Sequence, residues 1–407
     1  MANSLLTIDM VTKESLRIAH EKATFIKTIN RDFDDSYAKT GAKIGDTLRI
    51  RNPNQYTRRA NSRIMAVQDQ NETSQSLTVA TQDGVDMKWN SAERALSIDE
   101  FSTRYLEPAM SVLVSNIDAD MLTLATKATY NVAGTAGTVV GASNDISALG
   151  AARAKLNQGL APKGANRSVQ FDSVTMSSVA TAMKGLFQPT NQIEDAFAEG
   201  FIARTAMADF YENERTFTMT NGSDVTGSTD NPALVTDGGS VVDMHTQVAV
   251  ATQVVGEVFT IAGVYACHPE TKQSYGVLQQ FTITAIGAST TTISPPTYLT
   301  GAKKNVVKSD STTLLTTDFN AQVLTFVGAA TTSYRQNLMY HKDAFTFVSA
   351  DLPIMADAES CKRMTQDGLS LRVWTAPDIR NDELLLRIDM LYGFLAIRPA
   401  WACRITN

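Results

Sequence analysis

Apolar residues along this chain follow two rhythms, and the places where one gives way to the other divide it into parts. Between Val11 and Phe33, the residues Ile18, Phe25, Ile26, Ile29 and Phe33 recur at roughly helical spacing. Glu21, Lys22, Lys27, Arg31 and Asp32 fall between them. The pattern predicts an amphipathic N-terminal arm whose apolar face needs its own chain or a neighbour to pack on. From Asp46 the period changes to two: Leu48 and Ile50 alternate with Arg49 and Arg51, and later Leu77 and Val79 with Thr78, and Met87 and Trp89 with Lys88. A polar stretch from Asn52-Pro53-Asn54 to Gln82-Asp83-Gly84 lies between. Strands joined by a long polar excursion predict an extended β-arm, which is marginal by itself.

Ser97-Ile98-Asp99-Glu100 fits a capping box. Leu106, Met110, Leu113, Ile117, Met121 and Leu124 then follow at spacings of three and four. A helix reaching residue 129 would be roughly 48 Å long at 1.5 Å per residue, with Pro108 marking a kink or the true start. It reads as a structural spine. Gly134, Gly137 and Gly141 make Val132–Ala142 a flexible connection and a candidate hinge. Ile146, Leu149, Ala152 and Leu156 predict a second helix, Ser168–Phe171 a strand, and Met176, Val179, Met183 and Leu186 a third helical face. Ile193–Phe210 reads as a short helix, a turn at Gly200 and a strand.

Near Thr216 the chain becomes rich in Thr, Ser, Gly and Val and stays so to about Thr332. β-like runs at Val248–Val255, Val258–Val264, Gln280–Ile286 and Gln322–Val327 are separated by Asn221-Gly222, Asp237-Gly238-Gly239 and Pro295-Pro296. They predict a separate all-β module, a small barrel. Strands at Phe345–Val348, Leu369–Val373, Leu384–Leu391 and Phe394–Arg398 close the chain. The fold class is therefore α+β, with an all-β domain inserted into a loop of another.

Composition narrows the function. A length of 407 residues suggests about two or three domains. The 43% apolar and 19% charged content is that of a folded protein, and a net charge of −6 argues against a basic nucleic-acid-binding surface. Cys267, Cys361 and Cys403 are widely spaced and odd in number, so no disulfide framework is read from them and reduced thiols are expected. Asp9, Lys13, Glu14 and Arg17 interrupt any signal-peptide core in Met1–His20, and no stretch is apolar enough to span a bilayer, so no membrane partner is expected.

Catalytic patterns are missing. There is no phosphate loop and no GxSxG elbow, and the three glycines lack GxGxxG spacing. His20, His245, His268 and His341 are scattered without metal-ligand spacing. Cys267 and His268, adjacent on a strand, point to opposite faces. Asp118 and Asp120 do not share a helix face, so they read as solvated or paired across an interface. No catalytic, cofactor or metal site is expected. Arg49, Arg51, Arg58, Arg59 and Arg63 form the one basic concentration. Only Tyr56 could stack on a base there, which leaves docking on a neighbour's carboxylates or simple solvation as the main readings.

Several short runs resemble one family in order and spacing. They are Leu156-Asn157 with Ala161-Pro162 and Arg167-Ser168-Val169; Leu186-Phe187-Gln188-Pro189; Ala196 to Arg204; Gly256 to Val264; Lys342 to Ser349 with Leu352-Pro353; and Leu391-Tyr392-Gly393 through Ile397-Arg398-Pro399 to Arg404-Ile405. The chain resembles tailed-phage major capsid proteins of the Hong Kong 97 type, and among them the phage P-twenty-two coat proteins. That resemblance implies an N-arm at residues 1–40, a β-arm (E-loop) with flanking strands at 41–95 and a spine helix of the peripheral domain at 96–131. It further implies a first axial part at 132–218, the inserted β-domain at 219–338 and closing strands at 339–407. It also implies a non-enzymatic protein that forms hexamers and pentamers of an icosahedral shell. The shell would grow in the host bacterial cytoplasm around a scaffolding protein, with a portal protein at one vertex, and hold double-stranded DNA without sequence-specific contacts. Stability would come mainly from contacts between subunits, because neither arm is expected to bury its apolar face within one protomer. An encapsulin-like shell is the alternative of the same fold; a tube or decoration protein and a hydrolase with paired carboxylates are more distant ones.

Overall fold

The computed structural model describes residues 8–31, 47–65, 67–68, 72–90, 105–164, 166–183, 208–223, 226–229, 235–242, 252–287, 290–355, 360–366 and 368–407. Expectations for Ser97–Glu100, for Phe33, for Leu186 to Gly200 and for Val248 to Ala251 lie outside the described residues, and Thr252–Val255 forms no strand. The chain divides into two compact units. One comprises Met1–Ile50, Ser74–Met121 and Phe345–Ile397; the other comprises Arg51–Thr73, Leu122–Ala344 and Arg398–Asn407.

The first unit is built on an antiparallel five-stranded sheet. Its centre is Glu383–Ala396, paired with Phe345–Ala350, with Thr81–Asn90 and with Leu369–Asp378, which in turn pairs with Ser360–Gln366. The sequence pattern suggested two strands here, Leu384–Leu391 and Phe394–Arg398. They are one, because Gly393 does not break the strand. It admits a close neighbour instead: a Cβ there would lie 2.5 Å from the Thr78 carbonyl oxygen. Thr47–Arg51 and Ser74–Thr78 pair as a ribbon whose Ile50 and Leu77 enter a core with Val348, Leu352 and Leu391.

The N-terminal segment corrects one expectation. It forms a helix over Ile8–Lys22, breaks at Ala23-Thr24, and resumes over Phe25–Thr28. Leu16, Ile18, Phe25, Ile26 and Ile29 are buried within their own unit, and Phe25 packs against Phe345 with ring centroids 6.0 Å apart. This arm therefore does bury its apolar face within one protomer. The break has a partner on the spine helix. Asp118, expected to be solvated or interfacial, is fully buried and accepts the N–H groups of Phe25 (2.9 Å) and Ile26 (3.1 Å). Thr24, at the cap position, offers no side-chain bond of its own, so the carboxylate of Asp118 satisfies those donors from a distant element.

The spine helix runs Glu107–Ala128, roughly 33 Å at 1.5 Å per residue. Pro108 lies in its first turn, so it marks the start, where a missing N–H costs nothing. The boundary between the units falls inside this helix, after Met121.

The second unit carries two sheets with separate cores. A six-stranded sheet orders Val132–Ala133, Ala402–Thr406, Ser333–His341, Arg167–Phe171 and Asp209–Glu212, with Phe217–Thr220 also on Ser333–His341. Helices Ser147–Gln158 and Ser173–Met183 cover it, burying Leu149, Leu156, Met176 and Val179 with Val169, Phe171, Met339, Cys403 and Ile405. A seven-stranded sheet orders Thr226–Ser228, Val323–Phe326, Val258–Cys267, Ser274–Ile286, Thr291–Thr297 and Gly239–Val242, with Val306–Val307 on Val258–Cys267. Phe259, Ile261, Phe281, Ile283, Phe319 and Leu324 form its core. Pro295-Pro296, a turn signal in the sequence, lies inside Thr291–Thr297, where the pairing register with Gly239–Val242 is interrupted. A proline fits there because it has no N–H to offer the ladder.

The glycine-rich link is also corrected. Gly134, Gly137 and Gly141 have φ of +88°, +86° and +89°, and Val132–Ala133 pairs with Arg404 and Ile405. A Cβ on Gly141 would stand 2.6 Å from the Ser178 backbone, and Val140 is buried in the core. Gly134 and Gly141 make tight turns against packed backbone, so the segment is a series of turns and not an open linker.

Burial also ranks the thiols. Burial pushes the Cys403 thiol up to about 12 and raises that of Cys267, whereas Cys361 is half-buried. Since the thiolate is the reactive form, one thiol should react promptly with a water-soluble disulfide reagent at mildly alkaline pH and two only after denaturation. Prompt reaction of all three would contradict the packing.

Candidate assembly surfaces

Arg49 and Arg51 point to solvent from the Thr47–Arg51 strand, on either side of buried Ile50, as the alternation required. Arg51 meets Glu72 at 3.2 Å with both side chains largely exposed; such a pair contributes only about 0–1 kcal/mol. Arg58, Arg59 and Arg63 are exposed on the arm beyond. Arg59 donates to the Ile64 carbonyl (2.7 Å), folding the tip back on itself. Gln68 closes the arm by a pair of bonds, accepting from the Thr57 N–H (2.8 Å) and donating to the Thr57 carbonyl (2.6 Å). Among the described residues, Arg49, Arg58 and Arg63 have no ion-pair partner.

The arginines are accompanied by an apolar trio that the sequence reading missed. Ile64, Met65 and Val67 are 82%, 77% and 80% exposed, an unusual clustering on one projecting segment. The signal was available: the run Ile64-Met65-Ala66-Val67 sits in polar sequence without the alternation of a strand.

Other singled-out residues have structural roles. Arg167, almost fully buried, donates to the Pro162 carbonyl (3.0 Å), the Ala161 carbonyl (2.9 Å) and Asn157 Oδ1 (2.9 Å). One guanidinium thus gathers the separated residues Asn157, Ala161 and Pro162, and burial lowers its pKa. Glu257 is buried and accepts from Gly222 N–H (2.6 Å) and Val254 N–H (2.8 Å); desolvation raises its pKa against those two bonds. The Cys267 thiol donates to the Lys304 carbonyl (3.3 Å), and His268 Nδ1 accepts the N–H groups of Glu270 and Thr271. The two side chains hold a turn and share no target. Among the described residues no group of His, Cys, Asp and Glu could hold a metal, and no helix is long and apolar enough to cross a membrane.

A strand-rich α+β chain with a long spine helix, and an arm that displays arginines and bare apolar side chains, has the architecture of a shell-forming coat protein of the Hong Kong 97 type. The chain belongs to the P22 coat protein family (gene protein 5), whose profile matches residues 39–403. It is a major capsid protein of a tailed phage, a structural component that assembles into the shell of the virion. Among curated proteins, none matches the chain. A solved structure from Mycobacterium phage Che8 is 10% identical, covers 94% of this chain and 90% of its own, and has a TM-score of 0.50, which shows the shared fold. The capsid of Ralstonia phage GP4 (8% identical, 94% and 88% covered, TM-score 0.45) and that of cyanophage P-SCSP1u (10%, 90% and 84%, 0.43) are also similar.

Proposed function

We propose that the arm, residues 51–73 with Arg49 at its base, is the clasp by which one copy holds the next in the shell. The observation that carries this reading is the exposed trio Ile64, Met65 and Val67 beside Arg58 and Arg63, which are exposed and have no carboxylate partner among the described residues. Burying the trio against a neighbour would remove apolar area from water at about 25 cal/mol per Å². Bidentate Arg–carboxylate pairs would fix the register. In this reading copies form hexamers and pentamers around a scaffolding protein in the host bacterial cytoplasm. A portal protein occupies one vertex, and the acidic net charge lets double-stranded DNA be held without sequence-specific contacts.

The test separates assembly from folding. Ile64→Asp with Val67→Asp should leave the unfolding free energy of the unassembled chain, read from its urea transition, within about 0.5 kcal/mol of the parent, as for surface substitutions. The same double variant should abolish closed particles on sedimentation and negative-stain microscopy, with scaffolding protein supplied. Normal shells from that variant would remove the clasp.

The stretch 219–338 we read as an inserted β-domain that helps the protomer fold and bridges neighbouring capsomers. Its separate apolar core and the Glu257 staple at its base support this reading. Met219–Thr220 and Ser333–Leu338 of this stretch pair within the six-stranded sheet, so the test removes only residues 221–332: that deletion should yield insoluble chain, and soluble, assembly-competent protein would exclude the folding role.

A further inference from the structure

Two strands of the second unit sort their side chains in the same way. In Ala402–Thr406, Cys403 and Ile405 enter the core of the six-stranded sheet, and Arg404 between them faces the other way. In Ser274–Ile286, Phe281 and Ile283 enter the core of the seven-stranded sheet, and Gln280 and Thr282 face out. Those outward residues meet. The two apolar cores share no residue, so the junction between the sheets is made where the polar positions face each other.

Arg404 is the centre of that junction. It is 2% exposed, and among the described residues no carboxylate pairs with it. Its guanidinium donates to the Thr129 carbonyl (2.7 Å), the Gly256 carbonyl (2.6 Å), the Lys127 carbonyl (3.2 Å) and Thr282 Oγ1 (2.9 Å). Lys127 and Thr129 lie at the C-terminal end of the spine helix, whose dipole favours a cation. Thr282 also donates to the Lys127 carbonyl (3.1 Å). Gln280 pairs with Val132 through both halves of its amide, accepting from N–H (2.9 Å) and donating to the carbonyl (3.1 Å). Tyr275 donates to the Gln158 carbonyl (3.1 Å).

We propose that the seven-stranded sheet is mounted on a water-replaceable polar seat centred on Arg404, and that it swings off the end of the spine helix as a body while both apolar cores stay closed. Each bond of the seat has a nearly equivalent bond to water. Opening also rehydrates a guanidinium that was buried without a counter-charge, returning part of its desolvation penalty. An apolar junction would have neither property, since opening it would expose hydrocarbon to water. The seat is therefore the place where this unit opens before either core does.

Hydrogen exchange read by mass spectrometry on the unassembled full-length chain, across a urea series, tests this. The Val132 amide, bonded to Gln280, reports the seat; the amides of Val169 and Phe281 report the two cores. The expected result is exchange at Val132 at least tenfold faster than at either core, with a shallow urea dependence because little surface is exposed. Arg404→Lys, which keeps the charge and loses the fork, should speed Val132 a further tenfold and leave both cores unchanged. Thr282→Val should act in the same direction, and it carries the test if Arg404→Lys does not fold. Equal rates and equal, steep urea slopes at all three amides would overturn the proposal. So would variants that accelerate all three together.

Discussion

Replacing Asp389 with alanine should destabilise the first unit by about 3–5 kcal/mol, the range for breaking a buried ion pair. Asp389 is fully buried at the centre of the five-stranded sheet. Its Oδ2 lies 2.6 Å from Arg372 Nη2, and its Oδ1 2.7 Å from Arg387 Nε. Arg372 and Asp389 stand directly opposite each other on adjacent strands, and on the other side Asp389 faces Gly84. A Cβ on Gly84 would be 2.6 Å from Asp389 Oδ1, so the glycine makes room for the carboxylate. Arg372 is itself only 4% exposed and would be left charged, buried and without its carboxylate. Arg387 is half exposed, and Arg387→Ala should cost much less, about 0–1 kcal/mol as for a surface pair. Urea midpoints of the unassembled proteins measure both. A loss at Asp389→Ala no larger than that at Arg387→Ala would show that the burial of the pair contributes nothing.

The second large effect is expected at Asp118→Ala, about 2–6 kcal/mol, from stranding two buried N–H donors at roughly 1–3 kcal/mol each. The donors are those of Phe25 and Ile26, whose side chains are both buried. Exchange at these two amides should rise before the rest of the unit loosens. Asp118→Asn keeps an acceptor oxygen and should recover much of the loss. Equal losses for the alanine and asparagine variants would mean that the cap bonds are not the reason for the burial of Asp118.

Much of the fold was legible because it follows from periodicity. The alternation at Leu48–Arg51 placed the arginines outward and Ile50 inward, and the three-and-four spacing from Leu106 to Leu124 gave the spine helix. The misreadings share a physical cause: they concern residues whose surroundings come from distant parts of the chain. Gly393 resembles a break until Thr78 is seen against it. Gly141 suggests flexibility until Ser178 fills the space beside it. Asp118, an acid on a helix, reads locally as solvated or paired across an interface, and the N–H groups of a segment 92–93 residues earlier give it a buried role. Of the candidate site, the arginines were legible as a charge concentration. The apolar trio at Ile64–Val67 was overlooked because exposure is a property of the fold and not of the residue.

Two glutamines share an arrangement whose consequence is chemical rather than mechanical. Gln68 and Gln280 each stand in for a strand residue, presenting a side-chain amide to both the N–H and the carbonyl of one residue, Thr57 and Val132 respectively. Only a primary amide both donates and accepts in this way. Hydrolysis of that amide to a carboxylate would keep the bond to the N–H and turn the other into two oxygens facing each other. Slow deamidation, which passes unnoticed at most surface glutamines, would here loosen the arm and the sheet junction in the same ageing particle.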